Sequence, residues 1–383
     1  MGKVYLSYNN IVSSYGFDSQ VAVENIKNEI SGLQLVDDRR ISHIPCYTSL
    51  LNQDKLQGEF KTLDPQKKHT RLEQMLIISL GKTIAKSKLE LTPRVGLIIS
   101  TTKGNIDTLE TGSEFQQKRA YLGELAKIIK DFFGFAAEPL VLSNACVSGV
   151  LAIAVAKRLI NQGRFDHVFV TGGDLVTPFI LSGFDSFQAL SEELCRPYCK
   201  TRSGINIGEV AASALVTNID QNMAEESVTI IGEASCNDAN HISGPSRTGE
   251  GLFRSVKSAL KQAQLNTVDY ISAHGTATSF NDEMEAIAFD RLGLQDVPLN
   301  SLKGYFGHTL GASGLLETII GMHSLYQNTL FATKGFQELG VSKPINIIKK
   351  TQPKEMMTFL KTASGFGGSN TAVIFQKHNA NLR

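Results

Sequence analysis

No stretch of this chain is long and apolar enough to span a membrane. Neither sign of charge dominates, with 38 Lys and Arg against 37 Asp and Glu and a formal net charge of +1. Global charge therefore points to no nucleic acid, and an anionic partner must be met by a local basic patch. Cysteine is sparse: Cys46, Cys146, Cys195, Cys199 and Cys236. Their odd number and irregular spacing give no disulfide framework, so a reducing cytoplasm is the expected compartment. Cys195 and Cys199 lack a second Cys or His pair at finger spacing, and no metal site is expected. A Walker-type Gly-x-x-x-x-Gly-Lys segment is absent, which disfavours phosphoryl transfer. The first residues lack the apolar core of a signal peptide and read as a strand, and Leu6 stands where myristoylation wants Ser or Thr. Low-complexity tracts and short repeats are missing.

What remains is ordinary for a globular protein, with 42% hydrophobic and 20% charged residues in 383. That length suits one large domain or two fused halves. Short apolar runs alternate with longer helical stretches. Strands are expected over 4–7, 95–100, 140–142, 167–171, 212–217, 228–232, 270–272, 358–363 and 372–375. Helices are expected over 21–30, 70–85, 114–133, 147–162, 249–264, 282–292 and 313–327. Such alternation predicts an α/β protein with largely parallel sheets. Two helices, over 147–160 and 310–322, are apolar nearly all round and rich in Gly, Ala and Ser, so both are expected to be buried. Each begins just after a candidate reactive residue. Two similar halves follow, 1–220 and 221–383, divided at the polar crossover over 218–227.

Four segments carry candidate chemistry. In Leu140-Val-Leu-Ser-Asn-Ala-Cys146-Val-Ser-Gly149, a strand runs through a turn into the first buried helix. A cysteine at a helix start faces unpaired N–H groups that favour the thiolate. A buried structural cysteine is the competing reading. In His274-Gly-Thr-Ala-Thr278, a histidine ends a strand before a Gly turn, a place that projects into the ligand crevice of α/β proteins. Thr276 and Thr278 offer hydroxyls to an amide-bearing arm, and Asn281 or Asp282 is the expected helix N-cap. A turn histidine satisfied by backbone is the alternative. In Lys303-Gly-Tyr-Phe-Gly-His308, a Gly-rich loop leads to the second buried helix, which contains Glu317. A charge there needs a partner such as Lys303; a surface lysine is the alternative. In Gly365-Phe366-Gly367-Gly368-Ser369-Asn370, the glycines permit close backbone approach and the N–H groups suit one arm of an oxyanion hole, unless this is a plain tight turn. Taken together, one Cys, two His, one Lys and a Gly-rich loop at strand-to-turn junctions fit acyl transfer.

In order and spacing these segments resemble the β-ketoacyl-acyl-carrier-protein synthases (ketosynthases of the elongating type) of the thiolase superfamily. Asn144-Ala-Cys146 is similar to the family's nucleophile motif. His274-Gly-Thr-Ala-Thr with Asp282 and Glu285 resembles its first histidine segment, and Lys303 with Gly307-His308 its second. Gly365-Phe366-Gly-Gly-x-Asn370 resembles its C-terminal loop. A weaker fifth likeness runs from Arg196-Pro-Tyr through Arg202 and Gly204 to Gly208-Glu209. The Cys-His-His set separates this chain from thiolases and from the synthases that start fatty-acid chains.

The resemblance implies a thiolase fold, five-layered αβαβα, built from two similar halves. It implies decarboxylative Claisen condensation of a Cys146-bound acyl group with malonyl-acyl-carrier-protein, in fatty-acid or specialised polyketide or polyene synthesis. His274 and His308 are the implied hydrogen-bond donors to the enolate. Lys303 orders His308 or water, paired with Glu285 or Glu317. The N–H groups of Cys146 and Phe366 form the oxyanion hole, with Phe366 also a gate. Thr276, Thr278 and Gly367 contact the substrate, and Asp282 has a supporting role. No metal or organic cofactor is implied, since phosphopantetheine arrives on the carrier. The implied partners are acyl carrier protein and a second subunit, in a homodimer or a heterodimer with a chain-length factor. A basic docking patch for the carrier would draw on Lys67, Lys68, Arg71, Lys200 or Arg202. The chain departs from the family at Leu6-Ser-Tyr-Asn-Asn, Cys199, Ser203 and Ile205, which bears on substrate choice. A non-catalytic chain-length-factor-like subunit is the rival, although such subunits usually lose the cysteine. A hydrolase or acyltransferase using Cys146 and one His is a second.

Overall fold

A computed structural model describes residues 2–64, 68–238, 240–242 and 244–378. Ten principal strands build its sheet. The first half contributes β1 (Tyr5–Val12), β2 (Val95–Ser100), β3 (Leu140–Leu142), β4 (His167–Asp174) and β5 (Val210–Thr217). The second contributes β6 (Val228–Asn237), β7 (Tyr270–Ser272), β8 (Leu299–Asn300), β9 (Thr358–Gly365) and β10 (Ser369–Lys377). Spatial order in the first half is β1-β5-β4-β2-β3, and in the second β6-β10-β9-β7-β8. Directions repeat as well. β1/β5 and β5/β4 are antiparallel while β4/β2 and β2/β3 are parallel. β6/β10 and β10/β9 are antiparallel while β9/β7 and β7/β8 are parallel. The halves join where Tyr5 and Leu6 of β1 pair with Thr229 and Val228 of β6. The crossover over 218–227 lies between β5 and β6.

Helices cover both faces. Outside the first half lie α1 (Arg71–Ser87) and α2 (Leu122–Phe133). A capping box between Thr70 and Glu73 starts α1. The helix expected over 114–133 begins only at Leu122, because its buried stripe of Leu125, Ala126 and Ile129 starts there; Gln117–Ala120 forms a 3-10 turn. Between the halves lie α3 (Ser148–Asn161) and α7 (Ser313–Tyr326), and outside the second half α5 (Glu250–Ala263) and α6 (Ser279–Arg291). A shorter α4 (Pro178–Ser186) sits in the excursion between β4 and β5. The result is αβαβα layering.

Three apolar cores match these layers. The central one joins Val150, Ile153 and Ala154 of α3 to Leu315, Ile319 and Met322 of α7. Outer cores lie under α1 and α2 and under α5 and α6. The central helices approach at glycines. A Cβ on Gly149 would stand 2.6 Å from the Leu315 backbone N, and one on Gly314 would stand 2.6 Å from the Val150 backbone N. Small residues let the two buried helix starts meet, and the reactive segments immediately precede those starts.

Candidate active site

Loops at the carboxyl ends of parallel strands β3, β7, β8 and β9 converge, the usual place for ligands in α/β folds. Beyond β3, Ala145 adopts a left-handed conformation (φ +44°), and α3 begins two residues after Cys146. The Ser148 hydroxyl secures this turn, accepting from Asn144 N at 2.8 Å and donating to Ala145 O at 2.7 Å. Cys146 is buried, with Sγ 2.9 Å from His308 Nε2. Reactive atoms of Cys146, His274 and His308 all lie within 4.8 Å of one another.

Each histidine is held by its backbone. Glu285 accepts from His274 N at 2.8 Å and Gly275 N at 2.7 Å, and also from the Tyr198 hydroxyl and the Asn281 amide. Gly275 (φ +43°) makes the turn, and a Cβ there would stand 2.5 Å from Ser301 Cβ. Ser301 donates to Gly275 O at 2.7 Å, tying the two histidine loops together. His308 N donates to Asn206 O at 2.7 Å, so the Arg196–Gly208 motif serves as a rail for the second loop. Asp174, at the end of β4, accepts from Gly311 N at 2.7 Å and from Thr102 N at 3.0 Å, fixing the approach to α7.

Burial decides the resting protonation states. It pushes the Cys146 thiol up to about 12, against the pull of Lys303 and of the Phe366 and Cys146 N–H groups. The helix-start thiolate expected from sequence is therefore not the resting form: the sulfur is dry and α3 starts only at Ser148. Burial also drives both histidines well below the usual range, helped for His274 by Lys303, His308 and Lys361, and for His308 by Lys303 and Lys361. Both imidazoles are neutral at physiological pH.

Behind them, Lys303 is fully buried and ion-paired with Glu317, which also accepts from Ser313 Oγ at 3.1 Å. Of the two partners expected for Lys303, Glu317 is the one it meets; Glu285 is occupied by the His274 turn. Asp282 is not a cap. Thr278 is the N-cap residue of α6, and the Asp282 carboxylate turns back to accept from Thr276 N (3.0 Å) and Tyr198 N (2.7 Å). Burial raises Asp282 to about 7.

A pocket of about 480 Å³ opens onto Cys146 and both histidines. Thr276 and Thr278 line it, their hydroxyls 2.8 Å apart. Gly367 (φ +82°) lies in its rim. Phe366 stands at the mouth between Phe184 (ring centroids 5.8 Å) and Phe187 (5.2 Å). Gly365 lies against Cys146, where a Cβ would stand 3.1 Å from Cys146 N. Sequence reasoning missed four residues here. Lys361 and Asp174 each stand as a lone charge in an apolar strand, which was a readable signal. Phe184 and Phe187 gave none.

The expected docking cations are largely spoken for. Arg71 pairs with buried Glu209, Lys68 with Glu114 and Lys200 with Glu338. Arg202 is partly buried, donating to Cys199 O and Gly340 O beside Asp282. Lys67 lies outside the described residues.

Residues 18–222 match the model of the beta-ketoacyl synthase N-terminal domain, and residues 228–337 that of the C-terminal domain. A putative mitochondrial 3-oxoacyl-[acyl-carrier-protein] synthase of Schizosaccharomyces pombe is 30% identical over 66% of this chain and 64% of its own length. The chain thus spans under two thirds of that relative. A putative polyketide beta-ketoacyl synthase of Streptomyces halstedii is 26% identical over 82% of this chain and 83% of its own. Among solved structures, a ketosynthase in complex with its chain length factor from Xenorhabdus doucetiae superposes with a TM-score of 0.85 at 25% identity, covering 98% of each chain.

Proposed function

This chain belongs to the β-ketoacyl synthase family of the thiolase superfamily, and from that premise we propose that it is a β-ketoacyl-[acyl-carrier-protein] synthase. It joins a Cys146-bound acyl group to malonyl-acyl-carrier-protein with loss of carbon dioxide. The observation that supports this reading best is the meeting of a buried thiol with two neutral imidazoles at the foot of one pocket.

In the first half-reaction, Cys146 Sγ attacks the thioester carbonyl of the acyl carrier. His308 Nε2, 2.9 Å away, takes the thiol proton as the new C–S bond forms. N–H groups of Cys146 and Phe366 hold the oxyanion. Collapse breaks the carrier C–S bond, and the departing pantetheine sulfur receives the proton from His308. With Cys146 acylated and the thiol proton gone to pantetheine, His308 is again neutral; its one ring proton passes from Nδ1 to Nε2 by exchange through water, so that Nε2–H faces the site.

In the second half-reaction, the malonyl C–C bond breaks and its electrons form an enolate. His274 and His308 donate Nε2–H to that oxygen. The enolate carbon attacks the acyl-Cys146 carbonyl, and the released sulfur takes up a proton from solvent. Lys303, paired with Glu317, acts through its charge to keep both rings neutral. Thr276 and Thr278 bond the pantetheine amides, and Phe366, flanked by Phe184 and Phe187, gates the mouth. The reaction draws on the carrier's phosphopantetheine and on no resident cofactor.

The working unit is a homodimer, or a heterodimer with a chain length factor, and it docks acyl carrier protein. All five cysteines are free, in keeping with a reducing cytoplasm, and no helix among the described residues is long and apolar enough to cross a membrane. Departures at Cys199, Ser203 and Ile205, of which Ser203 and Ile205 line the pocket, favour a specialised polyketide or polyene pathway over housekeeping elongation.

The test supplies acyl and malonyl carriers to the purified protein and follows acyl-Cys146 by mass spectrometry together with carbon dioxide release. Both are expected in the wild type. Cys146→Ala should abolish acylation and condensation, with a loss of at least about a thousandfold given the cost of removing a covalent nucleophile. Condensation at the wild-type rate in Cys146→Ala would sink the reading. A wild-type chain that never acylates would be the partner subunit instead.

A further inference from the structure

Lys361 is the single charged residue of β9 and is fully buried. An ammonium in that position is expensive, and an apolar residue of similar size in place of a buried ion pair is often as stable. Three oxygens nevertheless surround it. Nζ donates to Ser272 O and Ala273 O, both at 3.1 Å, and ion-pairs with Glu317 Oε2. Lys361 faces Ser272 in the β7–β9 register, and Ser272 and Ala273 are the two residues immediately before His274. The far oxygen of Glu317 holds Lys303 and Ser313.

We propose that Lys361 is a positioning residue for the decarboxylation half-reaction: it clamps the backbone leading into His274 to Glu317, and through Glu317 to Lys303 and the start of α7. The two enolate donors then hold one spacing, because the loop of His274 and the helix start behind His308 share a common anchor. The inference rests on the condensing activity proposed above. Its electrostatic side agrees with its geometry. The charged and titratable groups around His274 are Cys146, His308, Lys303, Lys361 and Glu285, and those around Lys361 are Glu317, Lys303 and Glu285. After burial and Lys303, Lys361 helps keep both rings unprotonated.

Two full-length variants test this. Lys361→Met removes the charge and the donors, and Lys361→Gln removes the charge while keeping amide donors. In Lys361→Met, carbon dioxide release from malonyl carrier should fall about tenfold or more, while the rate of Cys146 acylation stays within about twofold. In both variants the acidic limb of the decarboxylation pH profile should move to higher pH, because loss of a nearby positive charge makes the imidazoles easier to protonate. Packing loss alone would not move that limb. Equal losses in the two half-reactions of Lys361→Met, or an acidic limb at the wild-type pH in Lys361→Gln, would overturn the proposal. Either variant alone decides if the other does not fold. A wild type that releases no carbon dioxide would instead count against the condensing activity.

Discussion

Two ammonium groups and one carboxylate share a dry space behind the histidines. Lys303 and Lys361 each take one oxygen of Glu317, and all three side chains are buried. Burial alone would raise the Glu317 carboxyl, but the two lysines hold it below the usual range. The carboxylate is thus the common counter-ion, and its loss should be the worst single change in the cluster. Glu317→Gln leaves two buried positive charges facing each other, and breaking such a pair costs about 3–5 kcal/mol. Lys303→Met leaves Glu317 still paired with Lys361, so its cost should be smaller. Thermal unfolding of the two variants side by side checks the order; Lys303→Met melting below Glu317→Gln would contradict it. At this scale the sequence was partly legible. An acid inside an apolar helix demanded a cation, and Lys303 was near in the chain. Lys361 comes from a strand 44 residues beyond Glu317 (361 − 317), and no local pattern links the two.

The elements that set the site are α3 and α7, two helices with almost no polar face. Their contact depends on glycines whose missing Cβ lets backbone meet backbone. In an exposed helix, Gly→Ala gains about 1 kcal/mol of propensity. At Gly314 the added methyl would run into the Val150 backbone, which cannot rotate aside as a side chain would. Overpacking of this kind costs about 1–3 kcal/mol, so the steric term wins. Gly314→Ala should lower the melting temperature and, by shifting the start of α7, slow condensation more than a surface Gly123→Ala, where a Cβ meets nothing within 4 Å. A Gly314→Ala protein as stable as the wild type would show that the helices can part without loss. Short apolar runs between helical stretches were the readable ones: β2, β3 and β7 fall at the expected residues. The helix α4 was not foreseen. It is short, interrupted by Gly183, and buries only Ile180 and Leu181, so it carries no clear apolar stripe. That omission hid Phe184 and Phe187, and with them much of the pocket mouth.

Seen whole, the molecule repeats itself, and the repeat explains why its reactive groups meet. Cys146 follows the third strand of the first half and precedes α3; His308 follows the third strand of the second half and precedes α7. Cys146 and His308 therefore occupy corresponding places, brought face to face because the two helices they introduce pack together. His274 and Phe366 come from the second half as well, so neither half holds a complete site. Neither holds a complete core. The central cluster draws Ile153 and Val170 from one side and Leu316 and Phe359 from the other, and separation would bare both surfaces to water. At roughly 25 cal/mol per Å² of apolar area, a few hundred Å² exposed costs about 5–10 kcal/mol, as much as the whole margin by which many domains are stable. The crossover over 218–227 carries no such burden: it is a loop held to β1 by Tyr8–Asn222, Asn9–Glu226 and Ser7–Ser227 hydrogen bonds. Cutting the chain there should be tolerated while separating its products should not. Fragments 1–220 and 221–383, co-expressed, are expected to co-purify, unfold in one transition and acylate Cys146. Each expressed alone should be insoluble or lack a cooperative melt. A fragment 1–220 that folds by itself with a sharp transition would mean that the central helices do not need each other, and that the duplication is of two independent domains rather than of two halves of one core.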